Sequence, residues 1–188
     1  MKRKTLKEKA RLPRLKHWLF DWTETIVVAL VLALIIRAFF LQVFWIPSGS
    51  MEKTLDINDR IVVNKVSYYF RLPQRFEIVV FRAVQAMGEE KKDLIKRLVG
   101  LPGETLEIKN GDLFINGSCI EYPTNMKQSM NQDYANFGPV TIPSDSFFVM
   151  GDNRPESADS RYWGFLPKKN LIGPAFLRIW PLYKIGLI

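Results

Sequence analysis

The sequence contains one histidine and one cysteine, and this scarcity excludes several kinds of site. His17 lies in a basic N-terminal tail, so a serine nucleophile elsewhere in the chain has no histidine to serve as its base. Cys119 has no partner for an intramolecular disulfide, and a thiol–histidine pair fails for want of histidine. One Cys and one His leave no zinc cluster, so we expect no metal and no cofactor.

The body of the chain also lacks an excess of charge of either sign. The whole sequence has 27 Lys and Arg against 19 Asp and Glu, a net charge of +8. Residues 1–17 hold eight of the basic residues and one acidic residue, which leaves 19 basic and 18 acidic residues in the other 171. The sequence therefore predicts no polybasic surface on the body and no binding to nucleic acid.

The sequence also lacks a long apolar run. Its uncharged apolar run, residues 25–36, has only twelve residues. A bilayer span needs about 20 residues. Aromatic residues extend the run on both sides, with Trp18 and Trp22 before it and Phe39 and Phe40 after it. These flanks predict a single transmembrane helix.

The position of the basic residues predicts the topology of that helix. Residues 1–17 form a cytoplasmic tail under the positive-inside rule, and residues 18–40 form the anchor. Residues 41–188 then form a domain on the extracytoplasmic side of a single-pass cell-membrane protein. Two alternatives are a buried core helix and a cleaved signal peptide, but cleavage at Ser48-Gly49-Ser50 would remove the anchor and cut into the candidate site below.

The extracytoplasmic part has the pattern of a mainly β domain built of antiparallel strands. Short β-branched runs include Ile61-Val62-Val63 and Ile78-Val79-Val80, and Leu94–Val99 is a further apolar strand. Asn110-Gly111 and Asn116-Gly117 are strong hairpin turns. The predicted fold class is therefore one transmembrane helix followed by an antiparallel β domain of linked sheets or a partial barrel.

Lys96 is the candidate base that takes the place of histidine. On a strand it shares one face with Leu94 and Leu98, and loss of water around it disfavours the ammonium form. A lysine whose pKa falls to about 7–8 is a usable general base. The alternative is an ordinary lysine whose amine reaches solvent from a sheet edge.

Ser50 is the candidate nucleophile, in the run Ile46-Pro47-Ser48-Gly49-Ser50-Met51. Such a run is also typical of a plain turn. Ser48 and Ser50 lie on either side of a glycine that permits tight backbone geometry. The Ser48 hydroxyl and the Ser50 N–H can therefore both donate to a developing oxyanion.

The third candidate segment runs from Gly151 to Gly164 and is dense in small, acidic and amide residues. Most of it is explained by turns and ion pairs that brace the fold, such as Asp159 with Arg161. Ser157 is the exception, because its hydroxyl can hold a lysine amine in place.

These segments, together with residues 58–65, closely resemble the ordered motifs of the bacterial type I signal peptidases. The resemblance runs from about the membrane helix to Pro167. It includes Ser-Gly-Ser-Met at residues 48–51 and Lys-Arg-Leu-Val-Gly-Leu-Pro-Gly at residues 96–103. It implies a membrane-bound serine endopeptidase that removes N-terminal signal peptides after small-x-small sites, through a Ser/Lys acyl-enzyme.

The resemblance also implies a role for each matching residue. Ser50 is the nucleophile, Lys96 the general base, Ser48 part of the oxyanion hole and Ser157 the group that orients the lysine. Asp159 and Arg161 support the site. The positions that match the shallow apolar substrate pockets are Phe44, Ile46, Pro47, Leu55, Ile95 and Ala158.

The chain departs from the family pattern at two turns. Asn58 and Phe76 stand where a glycine is usual, which puts the local turns in doubt rather than the catalysis. Residues 105–143 resemble a reduced, cap-like insertion in the catalytic domain.

The implied partners are signal peptides of secretory preproteins and membrane lipid, with the secretion translocon close by. A self-cleaving Ser/Lys regulator is a second enzyme class, which the spanning helix and the near-neutral body disfavour. The remaining alternative is a catalytically silent paralogue that binds precursors, which the intact Ser50 and Lys96 disfavour.

Overall fold

The computed structural model describes residues 11–84, 92–122 and 136–188, with side chains described except at residues 11–21 and 38. The chain divides into two compact units, one ending at Phe40 and the other running from Leu41 to Ile188. Of the predicted insertion at 105–143, residues 123–135 lie outside the described residues.

The first unit contains helix α1, Arg11–Phe39. The large apolar side chains between Ile26 and Ile36 are 42–61% exposed. Among the residues that the structure describes, no helix has both the length and the apolar character needed to cross a membrane.

The second unit is mainly β, as the sequence predicts, and its described strand pairs are antiparallel. The strands are β1 Leu41–Trp45, β2 Arg60–Asn64, β3 Ile78–Arg82, β4 Asp93–Gly100, β5 Thr105–Lys109, β6 Asp112–Ile115, β7 Ser118–Ile120, β8 Phe137–Thr141, β9 Ser146–Met150, β10 Leu166–Pro167, β11 Leu171–Trp180 and β12 Gly186–Leu187. One sheet has the strand order β1-β2-β11-β3-β4-β9-β10, with β12 paired to β11, and the other has the order β7-β6-β5-β8.

Two short α-helices, α2 Ser67–Phe70 and α3 Ser160–Trp163, lie in the connections. The hairpin turns of the smaller sheet are confirmed. Asn110 and Gly111 join β5 to β6 with φ of 50° and 88°, and Asn116 and Gly117 join β6 to β7 with φ of 51° and 81°. Asn-Gly suits these turns because both central residues need positive φ.

Strand β4 lies inside the larger sheet between β3 and β9, and its residues from Lys96 to Gly100 are buried. Leu94 and Leu98 pack with Val79 and Phe81 in one cluster, while Ile95 packs against a different one. This confirms the predicted alternation along the strand. It places Lys96 among apolar neighbours, with Val79 as its cross-strand partner.

Candidate active site

Ser50 lies in a 3₁₀ turn, Gly49–Met51, in the connection from β1 to β2. It is buried, and its carbonyl accepts a hydrogen bond from the Asn153 N–H at 3.1 Å. Gly151 packs against the same turn so closely that a Cβ there would lie 2.5 Å from the Ser50 carbonyl oxygen and 2.3 Å from the Ser157 Oγ. The chain therefore needs glycine at 151 to bring the two serine segments together.

Lys96 reaches the same point from β4. Its Nζ donates a hydrogen bond to the Ser50 Oγ at 2.5 Å, and both residues are buried, at 5% and 6% exposure. The structure thus brings together the two residues that the sequence singles out, 46 positions apart in the chain.

Burial lowers the pKa of the Lys96 amine from its ordinary 10.5 to about 8. Loss of water is the largest cause, since a buried ammonium loses hydration that the neutral amine hardly needs. The Asp159 and Asp152 carboxylates act in the opposite direction, and the Arg161 guanidinium adds a smaller lowering. Near neutral pH a useful fraction of the amine is therefore neutral and able to accept a proton.

Asp159 is fully buried and organises the segment that follows Gly151. Its carboxylate accepts hydrogen bonds from the Gly151 N–H at 3.0 Å and from the Arg161 Nε at 2.8 Å. The Ser157 hydroxyl also donates to Asp159, at 2.8 Å. Among the described contacts, Ser157 is therefore bonded to Asp159 and not to the Lys96 amine.

A second buried cation, Arg97, lies next to Lys96 on β4. Its Nε and Nη2 donate to the two Asp152 oxygens at 2.9 and 2.6 Å, a bidentate pair. Thr54 donates to the same carboxylate at 2.6 Å, and Nη1 of Arg97 donates to the Phe76 carbonyl at 2.8 Å. Sequence analysis did not identify this cluster. Its one signal is the alternation on β4, which sends Arg97 and Lys96 in opposite directions.

A cavity of about 200 Å³ opens beside the Ser50 Oγ and the Lys96 amine. Five further predicted site residues line it, and Leu55 and Ala158 do not. Leu55 is fully buried in a core cluster that includes Ile46 and Met51, and Ala158 is exposed. The predicted residues at the cavity are Phe44, Ile46, Pro47, Ser48 and Ile95; the lining residues that sequence analysis missed include Trp45, Ile61, Val80 and Leu94.

The structure shows how the chain forms the two turns at which it departs from the family pattern. Asn58 and Phe76 both adopt the left-handed backbone, with φ of 73° and 70°, where the family pattern has glycine. Asn is common in this region because its short polar side chain tolerates it, whereas an aromatic residue there is strained. The turns are thus kept, and the Phe76 ring packs against Tyr122 at a centroid distance of 6.1 Å.

A serine hydroxyl held by a buried lysine amine of lowered pKa is an arrangement with which a serine hydrolase works without histidine. Within the described residues, no group of three His, Cys, Asp or Glu side chains is placed to hold a metal ion. The profile described as "Signal peptidase, peptidase S26" matches residues 19–180. The chain belongs to this family of peptidases.

Two relatives found by sequence agree with this assignment. Signal peptidase I of Leptolyngbya laminosa is 43% identical over 178 residues, which cover 93% of this chain and 86% of the relative. Probable signal peptidase I-2 of Synechocystis sp. is 40% identical over 188 residues, which cover 99% of this chain and 84% of the relative. A crystal structure of a signal peptidase I from Enterococcus faecalis is 35% identical, covers 55% of this chain and 97% of that chain, and has a TM-score of 0.47.

Proposed function

We propose that this protein is a membrane-anchored serine endopeptidase that removes signal peptides from exported preproteins. The observation that carries the proposal is the buried hydrogen bond between the Lys96 Nζ and the Ser50 Oγ, in a chain of the signal peptidase family. No observation favours a catalytically silent, precursor-binding paralogue.

The reaction begins when the neutral Lys96 amine takes the proton of the Ser50 hydroxyl. The Oγ attacks the scissile carbonyl, and collapse of the tetrahedral intermediate breaks the peptide bond as the Lys96 ammonium returns a proton to the leaving amine. The signal peptide is then held as an ester on Ser50. Lys96, neutral again, takes a proton from a water molecule as the water oxygen attacks the ester carbonyl. Collapse of this second tetrahedral intermediate releases the signal peptide with a new carboxyl group, and the Lys96 ammonium returns its proton to the Ser50 Oγ.

The oxyanion donors in this proposal are the Ser50 N–H and the Ser48 hydroxyl. Ser48 lines the cavity beside Ser50, and its backbone is extended, with φ of −138° and ψ of 156°. Two donors aimed at the developing charge stabilise the tetrahedral intermediate, and loss of one typically costs about 10²–10³ in rate.

The size and lining of the cavity support a preference for small apolar side chains. Its volume is about 200 Å³, and Phe44, Ile46 and Ile95 give it apolar walls. We assign these residues, with Pro47, to the pockets for the −1 and −3 side chains. Leu55 acts from the core behind Ile46, and Ala158 lies outside the cavity.

The membrane anchor is a proposal that rests on the sequence and on the exposed apolar side chains of α1. A surface of this kind is stable in lipid and unfavourable in water. The basic tail at residues 1–17 would then lie in the cytoplasm, and the β domain on the extracytoplasmic side next to the translocon. Trp45, Trp180 and Leu182 are 47–68% exposed and would seat the domain at the bilayer surface.

The test is cleavage of a secretory precursor by the detergent-solubilised full chain, with the new N-terminus of the product sequenced. We expect a cut after a small-x-small site, lost in Ser50→Ala and Lys96→Ala. Lys109→Ala, which removes an exposed lysine in the smaller sheet, is the control and should cleave normally. Absence of cleavage by the native chain would refute the peptidase, and cleavage by Lys96→Ala would refute the base.

A further inference from the structure

A second cavity, of about 700 Å³, lies between α2 and the ends of β9, β10 and β11. It shares no lining residue with the cavity at Ser50 and Lys96. The proposed cleavage reaction therefore makes no use of it, and its lining must be explained separately.

The lining of this second cavity combines cationic and apolar side chains. Lys65, Lys168 and Lys169 contribute three ammonium groups, against the single carboxylate of Asp145. Prolines and aliphatic side chains form much of the remaining lining. A cavity with this balance of charge favours an anionic group that carries an apolar portion.

One wall is held in place by a polar contact. The Tyr68 hydroxyl donates to Glu77 at 3.0 Å, and Arg71 pairs with the same carboxylate at 2.6 Å. The Arg71 guanidinium also lies 5.4 Å from the centre of the Tyr68 ring. These contacts fix α2 beside the cavity instead of leaving it as a loose turn.

Large apolar side chains are exposed on α2, at Tyr69 and Phe70, and just after it, at Leu72. Tyr69 is 84% exposed, Phe70 is 87% exposed and Leu72 is 72% exposed. Aromatic and aliphatic side chains next to lysines are the composition of surfaces that enter the lipid interface.

The pairing of β1 with β2 favours lipid as the ligand of the second cavity, because it connects α2 with the end of the proposed anchor. Leu41, the first residue after the proposed anchor, pairs directly with Asn64. The Asn64 side chain in turn accepts hydrogen bonds from the N–H groups of Val66 and Ser67, both at 3.0 Å, which begin α2. Ser67, where α2 begins, is therefore three residues beyond Asn64, the strand partner of the first residue after the proposed anchor.

We propose that α2 and the cationic cavity form a lipid-docking site. The phosphate of an anionic phospholipid binds at Lys168 and Lys169, while Phe70 and Leu72 enter the interface. This inference rests on the proposed membrane anchor. It adds a lipid-specific contact that the cleavage reaction does not require.

The experiment places a fluorescent reporter on α2 in the full chain. Cys119 is replaced by Ser and Phe70 by Cys, and an environment-sensitive dye is attached to the new thiol. The protein is reconstituted into phosphatidylcholine vesicles with phosphatidylglycerol rising from none to about one-third of the lipid. A dye at Lys109→Cys, on the smaller sheet, is the control for general effects of the lipid.

We expect the emission at position 70 to shift to the blue as phosphatidylglycerol increases, and the emission at position 109 to stay constant. Lys169→Glu should raise the phosphatidylglycerol fraction at half-shift by at least about fivefold, because each basic residue near an anionic surface is worth about that factor. Lys109→Glu reverses an exposed lysine elsewhere and should leave the midpoint unchanged.

Each other outcome counts against the proposal. A shift that is equal in pure phosphatidylcholine, or unaffected by Lys169→Glu, would overturn the headgroup site. No shift in any lipid would overturn the docking, and a shift caused by soluble glycerol phosphate in detergent would overturn lipid as the source. Ser50→Ala must lose cleavage and keep the shift, which separates failure of this site from failure of the peptidase.

Discussion

Lys96 and Arg97 are neighbouring buried basic residues on β4, but they have different hydrogen-bond partners. Arg97 has a carboxylate of matching geometry, so the bidentate bond to Asp152 compensates for the water that the guanidinium loses on burial. Lys96 reaches a neutral hydroxyl, while Asp159 and Asp152 are engaged by arginines. Its ammonium is therefore poorly compensated and gives up a proton readily. The same degree of burial thus produces a structural ion pair in one cluster and a candidate base in the other.

Removal of the amine should have the largest effect of all on activity. Lys96→Met keeps the apolar stem and loses the proton acceptor, so we expect kcat/KM for precursor cleavage to fall by about 10³-fold or more. Lys96→Arg should not rescue it, since a guanidinium does not deprotonate in proteins. Steady-state cleavage assays check both variants. Substantial activity in Lys96→Arg would show that the reaction does not need a side chain that can lose a proton at position 96.

Removal of one partner from the ion pair should mainly affect stability. Asp152→Ala leaves the Arg97 guanidinium buried without its carboxylate, and we expect the free energy of unfolding to fall by about 3–5 kcal/mol. Denaturant unfolding of the variant and the parent measures this. The Asp152→Ala, Arg97→Met double variant should recover part of the loss. An unchanged midpoint in Asp152→Ala would mean that the pair contributes little.

The pH dependence of stability should distinguish the two cations next. The pKa of the folded-state lysine is about 8, below its ordinary value of 10.5, so the unfolded chain holds more protons between these pH values. The free energy of unfolding should therefore rise from about pH 8 to about pH 10.5, by at most about 3 kcal/mol from this group. Lys96→Met should lose that rise, whereas Arg97→Met should keep it. Identical pH profiles for Lys96→Met and the parent would contradict the lowered pKa.

The smallest predicted effect concerns the pH at which activity develops. In the parent, kcat/KM should rise with pH through about 8 as the Lys96 amine loses its proton. Asp159 is the largest influence that raises this pKa, so Asp159→Asn should move the limb to lower pH, by about one pH unit or less. Pre-steady-state rates across the pH range measure the limb. If the rise in activity of Asp159→Asn occurred at higher pH than in the parent, the Asp159 charge would not raise the pKa of Lys96.

Much of this arrangement could be predicted from the sequence because its signals are local. The alternation around Lys96 and the two Asn-Gly turns each depend on a few consecutive residues. The lack of histidine left lysine as the available base for Ser50. Both members of the hydrogen-bonded pair were therefore predictable, although their contact joins distant parts of the chain.

The parts that were missed depend on tertiary geometry. The Arg97–Asp152 pair joins residues 55 positions apart, and nothing near either residue in the sequence indicates the other. Leu55 matches a pocket position, yet its side chain lies in the core. The Ser157 hydroxyl can reach more than one acceptor, and only the fold shows that it bonds to Asp159.

The contacts around the Ser50 turn have a consequence for the cell that makes this enzyme. The Asn153 side chain bonds to the Gly49 carbonyl across 104 residues, and Gly151 packs on the same turn. A nascent chain that has emerged only as far as Lys96 holds both reactive groups but lacks this support. We therefore expect proteolytic competence only after residues 151–153 have been synthesised and have packed on the Ser50 turn.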